Sequence, residues 1–121
     1  MTDIEMFNDF KNKNNIESDF ATYDYDDISL NDILNGKKTT EVSLYDDYVA
    51  NKEPLPIKGD YAVVCNEAGE AKAIIKTVSV NIVEYAKVKD KGDLKAFADE
   101  IGIKLSNETL CVEEVFEVAY K

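Results

Sequence analysis

The chain is predicted to fold as a small α+β domain, a curled sheet or barrel of mainly antiparallel strands with short helices at its rim. Three observations point there. Runs rich in β-branched residues, "YAVVCN" and "AKAIIKTVSVNIVEY", are bounded by turn signals. Stretches with apolar residues at helical spacing stand before the first strand and before the last. Neither a glycine-rich phosphate loop nor a βαβ alternation is present, which argues against nucleotide folds of the Rossmann or P-loop kind. With 121 residues there is room for one core. Residues 1–121 are therefore read as one domain, with an acidic helical part at 1–35 ahead of a barrel at 36–121.

The elements follow in order. In "IEMFNDFKNKNN", Ile4, Phe7 and Phe10 recur at helical spacing, which predicts a helix over 3–14. "ESDFATYDYDD" has no defensible period and reads as a loop, with Tyr23 and Tyr25 packing it down or stacking on a base. Ile28, Leu30, Ile33 and Leu34 stripe a second helix, and Gly36 stands where a helix end takes a left-handed residue. "TTEVSL" reads as a strand, and "YDDYVANKEPLPIKGD" as a helical turn and loop punctuated by Pro54 and Pro56. "YAVVCN", the turn "EAGE" and the long run after it make a hairpin whose second strand is expected to be bent or bulged midway. "KDKGD" is a loop, and "LKAFADEIG" a helix stopped by Gly102. "TLCVEEVFEVAY" is a strand placing Leu110, Val112, Phe116, Val118 and Tyr120 on one face. Glu114 falls on that same face, so it must be paired, at a bulge or at the rim of a pocket. Lys76 is its expected partner.

Composition excludes much chemistry. All 14 bases are lysines, and there is no Arg, His or Trp. Serine–histidine and cysteine–histidine pairs, histidine metal sites and arginine phosphate clamps are therefore absent. No cofactor or metal site is expected. Cys65 and Cys111 lie in apparent strands and are read as buried, reduced thiols. The net charge of −11 disfavours sequence-independent binding to nucleic acid, duplex DNA included. The charge is uneven: −7 over residues 1–35, −1 over 36–60, +1 over 61–95 and −4 over 96–121. No apolar run is long enough to span a bilayer, and the acidic start lacks the order of a signal peptide. A cytoplasmic protein without membrane association is the expectation.

Against this acidity "NGKKTTEVSL" places two adjacent lysines behind a glycine. Lying at the negative end of the second helix is one reason for them; an anionic ligand is another. The segment Gly36-Lys37-Lys38-Thr39-Thr40-Glu41-Val42-Ser43-Leu44 resembles the G-x-K-x-x-T segment of the ASCH domain, a PUA-like β-barrel family. Residues 55–88 are similar to that family's proline, Gly-Asp turn, strand, turn and long strand. Gly92-Asp93-Leu94 resembles the end of its acidic E-G-E-G-D box, and Glu114-x-Phe116-x-Val118-x-Tyr120 its closing strand.

The resemblance implies a mixed barrel of about five to six strands, with a cleft beside the G-x-K segment. It also implies a ligand, a nucleoside or single-stranded RNA, and in some short members hydrolysis of N4-acetylcytidine by the lysine, the threonine and a box glutamate. With Gly36 and Lys38 as the G-x-K pair, Glu41 stands at the threonine position. With Lys37 and Thr40 in register, K-x-x-T returns but the glycine spacing is lost. The box reads Lys89-Asp90-Lys91-Gly92-Asp93, without its glutamates.

The reading favoured is a binding module, not an enzyme, with Gly36, Lys37, Lys38, Thr40, Glu41, Ser43 and Asp93 as ligand residues. One alternative is an acidic interaction domain with a basic protein partner. Another is an N4-acetylcytidine-type amidohydrolase with Lys38 as base and Glu41 or Asp93 as proton shuttle. Asp93 also suits the N-cap of the helix that follows it.

Overall fold

A computed structural model describes residues 1–89 and 91–121; Asp90, read above as part of the "KDKGD" loop, lies outside the described residues. The described chain runs α1 (Asp3–Asn14), β1 (Phe20–Asp24), α2 (Asp27–Leu34), β2 (Thr40–Leu44), α3 (Tyr45–Ala50), β3 (Tyr61–Cys65), β4 (Ala71–Glu84), α4 (Leu94–Ile101) and β5 (Leu110–Tyr120). A 3-10 turn, Tyr85–Lys87, follows β4. The strands form one sheet in the order β1-β3-β4-β5-β2. β1 is parallel to β3, whereas β3–β4 and β2–β5 are antiparallel, so the sheet is mixed. Among the described residues no helix is long and apolar enough to cross a membrane. The residues group into two compact units, one of Met1–Thr39, Lys58–Val78 and Phe116–Lys121, the other of Thr40–Ile57 and Ser79–Val115.

In the first unit α1 starts on a capping box, in which the Thr2 hydroxyl accepts from the Glu5 amide and the Glu5 carboxylate from the Thr2 amide. Its buried face is Met6, Phe7 and Phe10, set against Val63, Cys65, Ala71 and Ile74. Ile4, expected in that stripe, is exposed, and Met6 takes the inward position. The Phe7 ring stacks on Phe20 at 4.4 Å, and Phe10 meets Tyr61 at 5.3 Å and Tyr120 at 5.5 Å. A second cluster joins Leu30 and Ile33 of α2 with Ala62, Val64, Ala73, Ile75 and Phe116, while Ile28 points to solvent. β3 is thus covered on both faces, which is why "YAVVC" is a continuous apolar run without alternation.

One expectation changes here. "FATYD", read as loop, is β1, an edge strand on which only Phe20 is even half-buried, so no alternation marks it in the sequence. Near the start of β4 the ladder carries a bulge: Val64 pairs with Ala73 and Cys65 with Ala71, leaving Lys72 as the extra residue.

In the second unit Leu44, Val88, Leu94, Ala98 and Cys111 make the core. α4 turns Leu94 and Ala98 inward and ends on Gly102 at φ +75°. Leu110, expected on the apolar face of β5, is exposed. Both cysteines are free and buried, as their sequence context suggested.

Candidate functional site

Most of the residues singled out in the sequence lie in two segments. The first is the turn after α2. Gly36, at φ +77°, is the left-handed residue that the sequence called for. Its amide donates to the Ile33 carbonyl at 3.2 Å, and the Lys37 amide reaches the Asp32 carbonyl at 2.8 Å. That pair of bonds is a Schellman motif. The Lys38 amide also donates to Asp32, at 3.0 Å, and the Lys121 ammonium donates to the Leu34 carbonyl at 3.2 Å. The Lys121 ammonium thus meets the end of the helix that carries partial negative charge, and the backbone of Lys37 and Lys38 closes that end. Asp26, the N-cap of α2, is held below the usual carboxylate range, first by the Ser29 amide and least by the Lys38 charge.

The second piece lies on β2 and β5. Their register sets Glu41 opposite Glu114 and Ser43 opposite Val112. Directly opposed residues share a face of the sheet. Glu41, Ser43 and Glu114, all half-buried, consequently lie on one side, and Thr40, Val42 and Leu44 lie on the other. Leu44 lies in the core of this unit and Val42 packs against it, so the carboxylates lie on the other face, which they share with the buried Val112.

Tyr48 of α3 completes this ledge. Its phenol lies close enough to the Ser43 side chain to interact with it. Burial pushes its pKa up, the Ser43 side chain works against that, and the negative charges of Glu114, Glu53 and Asp47 add to the rise. Sequence reasoning missed Tyr48. The only signal was a tyrosine one helical turn beyond the strand end, which cannot be aimed without knowing where α3 leaves β2.

The predicted set therefore divides. Glu41 and Ser43 come together, with Glu114 and Tyr48 beside them. Thr40 belongs to the opposite face. Asp93 occupies the N-cap position of α4, yet its side chain makes no capping bond, and its carbonyl instead accepts from Phe97 at 3.0 Å. Ahead of it Lys91 is anchored, its ammonium donating to the Val88 carbonyl at 2.9 Å and lying 5.2 Å from the Tyr85 ring centre. Lys76, for which Glu114 was the expected partner, has its ammonium 5.7 Å over the Tyr61 ring. Among the described residues no cluster of Cys, Asp or Glu has the arrangement of a metal site.

As a chemical surface the second piece is rich in acceptors. Two carboxylates offer only lone pairs when ionised, while the phenol and the hydroxyl can turn either way.

Comparison with known proteins fits this architecture. The chain is similar to protein EF3133 from Enterococcus faecalis V583, a structure assigned to the family model DUF984. The TM-score is 0.79 and the identity 20%, over 98% of this chain and 88% of that one. It is also similar to an ASCH domain from Lactobacillus crispatus JV V101, with a TM-score of 0.70 and 25% identity, over 98% of this chain and 92% of that one. No curated protein matches the chain. The fold is the PUA-like α+β arrangement of such domains. The ASCH domain model matches residues 18–96, well over half of the chain, and the chain belongs to the ASCH domain family.

Proposed function

We propose that this ASCH domain is a binding module rather than a hydrolase, and that its second unit receives the base of a nucleoside, free or within a short single-stranded RNA. The observation that carries this reading is the pair Glu41 and Glu114, half-buried and directly opposed on neighbouring strands. Each carboxylate can accept several hydrogen bonds, so a ligand with donor groups can add to the partners these two already have. The amino group of cytosine is such a donor, and a carboxylate is its usual partner. In single strands this edge of the base is open to protein side chains.

Two observations weigh against hydrolysis. With Gly36 and Lys38 as the G-x-K pair, Glu41 stands where the family's catalytic segment has its threonine, and Thr40, the hydroxyl of the other register, lies on the opposite face from Glu41. The box that supplies a glutamate is lysine-rich here, and Lys91 is tied to Val88 and Tyr85. The charge of −11 favours a neutral nucleoside over a ligand held by its phosphates.

The test is an amide-resolved NMR titration with cytidine, N4-acetylcytidine and a short single-stranded RNA, with acetate followed in the acetylated sample. Saturable shifts at Glu41, Ser43 and Glu114 without acetate are expected. Steady acetate release would overturn the assignment as a binding module, and absence of shifts with all three ligands would remove the nucleoside.

A further inference from the structure

A second surface, independent of the carboxylate ledge, lies on the first unit. Among the described residues β1 ends the sheet, with β3 on one side and no strand on the other. Ala21, Thr22, Tyr23 and Asp24 are all exposed. The direction of its backbone follows from one bond: the Tyr25 amide donates to the Cys65 carbonyl at 2.9 Å. In a parallel ladder alternate residues face the neighbour. The amides of Ala21 and Tyr23 thus point to β3, and those of Phe20, Thr22 and Asp24 line the outer edge.

This edge is already shaped. Phe20 stacks on Phe7, and the Thr22 hydroxyl donates to the Asp3 carboxylate at 2.8 Å. A partner strand therefore meets a formed template and does not have to order it, which lowers the cost of association.

Charge selects the partner. From Asn14 to Gly36 the chain has Glu17, Asp19, Asp24, Asp26, Asp27 and Asp32 and not one lysine. Two copies of β1 edge to edge would set these acids against each other, and an RNA backbone would be repelled as well. An extended segment carrying lysine or arginine gains on both counts. We propose that the outer edge of β1 is a docking edge for an extended, basic segment of a partner protein, which adds to the sheet as a further strand. Main-chain bonds then supply affinity, and the acids supply choice.

The probe is a synthetic peptide of about six residues, a usual strand length, in which lysine alternates with valine. It is compared with the same peptide N-methylated at alternate residues, which keeps the charge but cannot complete a ladder. Titrated into the whole chain, the unmodified peptide is expected to shift the amides of residues 20–24 and to protect those of Phe20, Thr22 and Asp24 from exchange. N-methylation is expected to weaken binding by about tenfold or more, the loss of one or two net hydrogen bonds. Asp19→Asn with Asp24→Asn, two surface changes, should weaken it further and flatten its salt dependence.

Equal binding of both peptides would overturn strand addition, as would shifts centred away from β1 or no binding at low salt. Failure here leaves the nucleoside reading untouched, since that is read at Glu41, Ser43 and Glu114.

Discussion

Glu41 and Glu114 sit directly across from each other on β2 and β5, on the face of the sheet opposite Leu44. Like charges directly opposed on neighbouring strands repel. A double-mutant cycle with Glu41→Gln and Glu114→Gln should therefore return a repulsive coupling of about 0.5 kcal/mol in the free protein. The same two changes should abolish the cytidine-induced shifts. Denaturant melts read the first quantity and NMR the second. An attractive coupling would mean that the pair is structural, held by groups that favour both charges.

Removal of the Tyr48 hydroxyl separates positioning from binding. Tyr48 reaches Ser43 from α3, and its phenol is partly buried. Tyr48→Phe keeps the ring and deletes the hydroxyl that interacts with Ser43; if the two are hydrogen-bonded, stability should fall by about 1 kcal/mol. If the ledge holds the base, nucleoside affinity should drop as well, with shifts still centred on Glu41 and Glu114. Unchanged affinity would confine Tyr48 to holding α3 on β2.

Gly36 offers a purely backbone test. Its φ is +77°, and a Cβ placed on it would meet nothing within 4 Å. The cost of Gly36→Ala is then conformational strain alone, about 1–2 kcal/mol, seen as a lower urea midpoint with unchanged slope. Gly36→Asn should cost less, because asparagine tolerates the left-handed region. Equal losses for the two would point to a contact that the turn geometry does not contain.

Much of this was legible in the sequence, and the reasons differ by element. Gly36 was readable because a stripe of Leu30, Ile33 and Leu34 ended just before it, and a helix of that length has to close somewhere. α1 was readable from Phe7 and Phe10. β1 was not, because an edge strand with one half-buried residue carries no alternation, and its acids read as a solvated loop. The site was only half readable. Glu41 and Ser43 could be named from family resemblance. That Thr40 faces the opposite way, that Glu114 is the residue across from Glu41, and that Tyr48 closes the ledge depend on the register of β2 against β5, and no local pattern encodes it.

The thiols should be silent. Burial pushes the Cys65 thiol up, and the charges of Asp24 and Asp3 push it further; burial also raises Cys111, with Lys91 opposing. Reaction with thiols goes through the thiolate. At a pH of about 8, where an ordinary cysteine is partly ionised, neither should react with a water-soluble disulfide reagent except through opening of the fold. The observed rate should therefore become independent of reagent concentration and rise steeply with urea. A thiol that reacts at once in native buffer, in proportion to reagent, would show that one of the cores is open to solvent.

Asp9, Lys13 and Tyr120 give the protein an acid-side signature. The Tyr120 hydroxyl donates to Asp9, and the Lys13 ammonium lies 3.1 Å from the same carboxylate and 3.1 Å from the Tyr120 hydroxyl. The Tyr120 bond, then the Lys13 bond, hold the Asp9 carboxyl below its usual range, and the same partners raise Lys13. A depressed carboxylate adds stability that is whole above its unfolded pKa of about 3.9 and fades as pH falls through its lower folded value. The raised lysine adds stability that is whole below its unfolded pKa of about 10.4 and fades as pH climbs through its higher folded value. Wild type should thus exceed Asp9→Asn in stability by a constant margin across neutral pH, and the two curves should converge below a pH of about 4. Tyr120→Phe should shrink the low-pH slope, because it removes the bond that depresses Asp9 most. All three proteins share the same rings and differ only in these bonds, so parallel curves down to acid pH would mean that the cluster does not tie α1 to the end of β5 in solution.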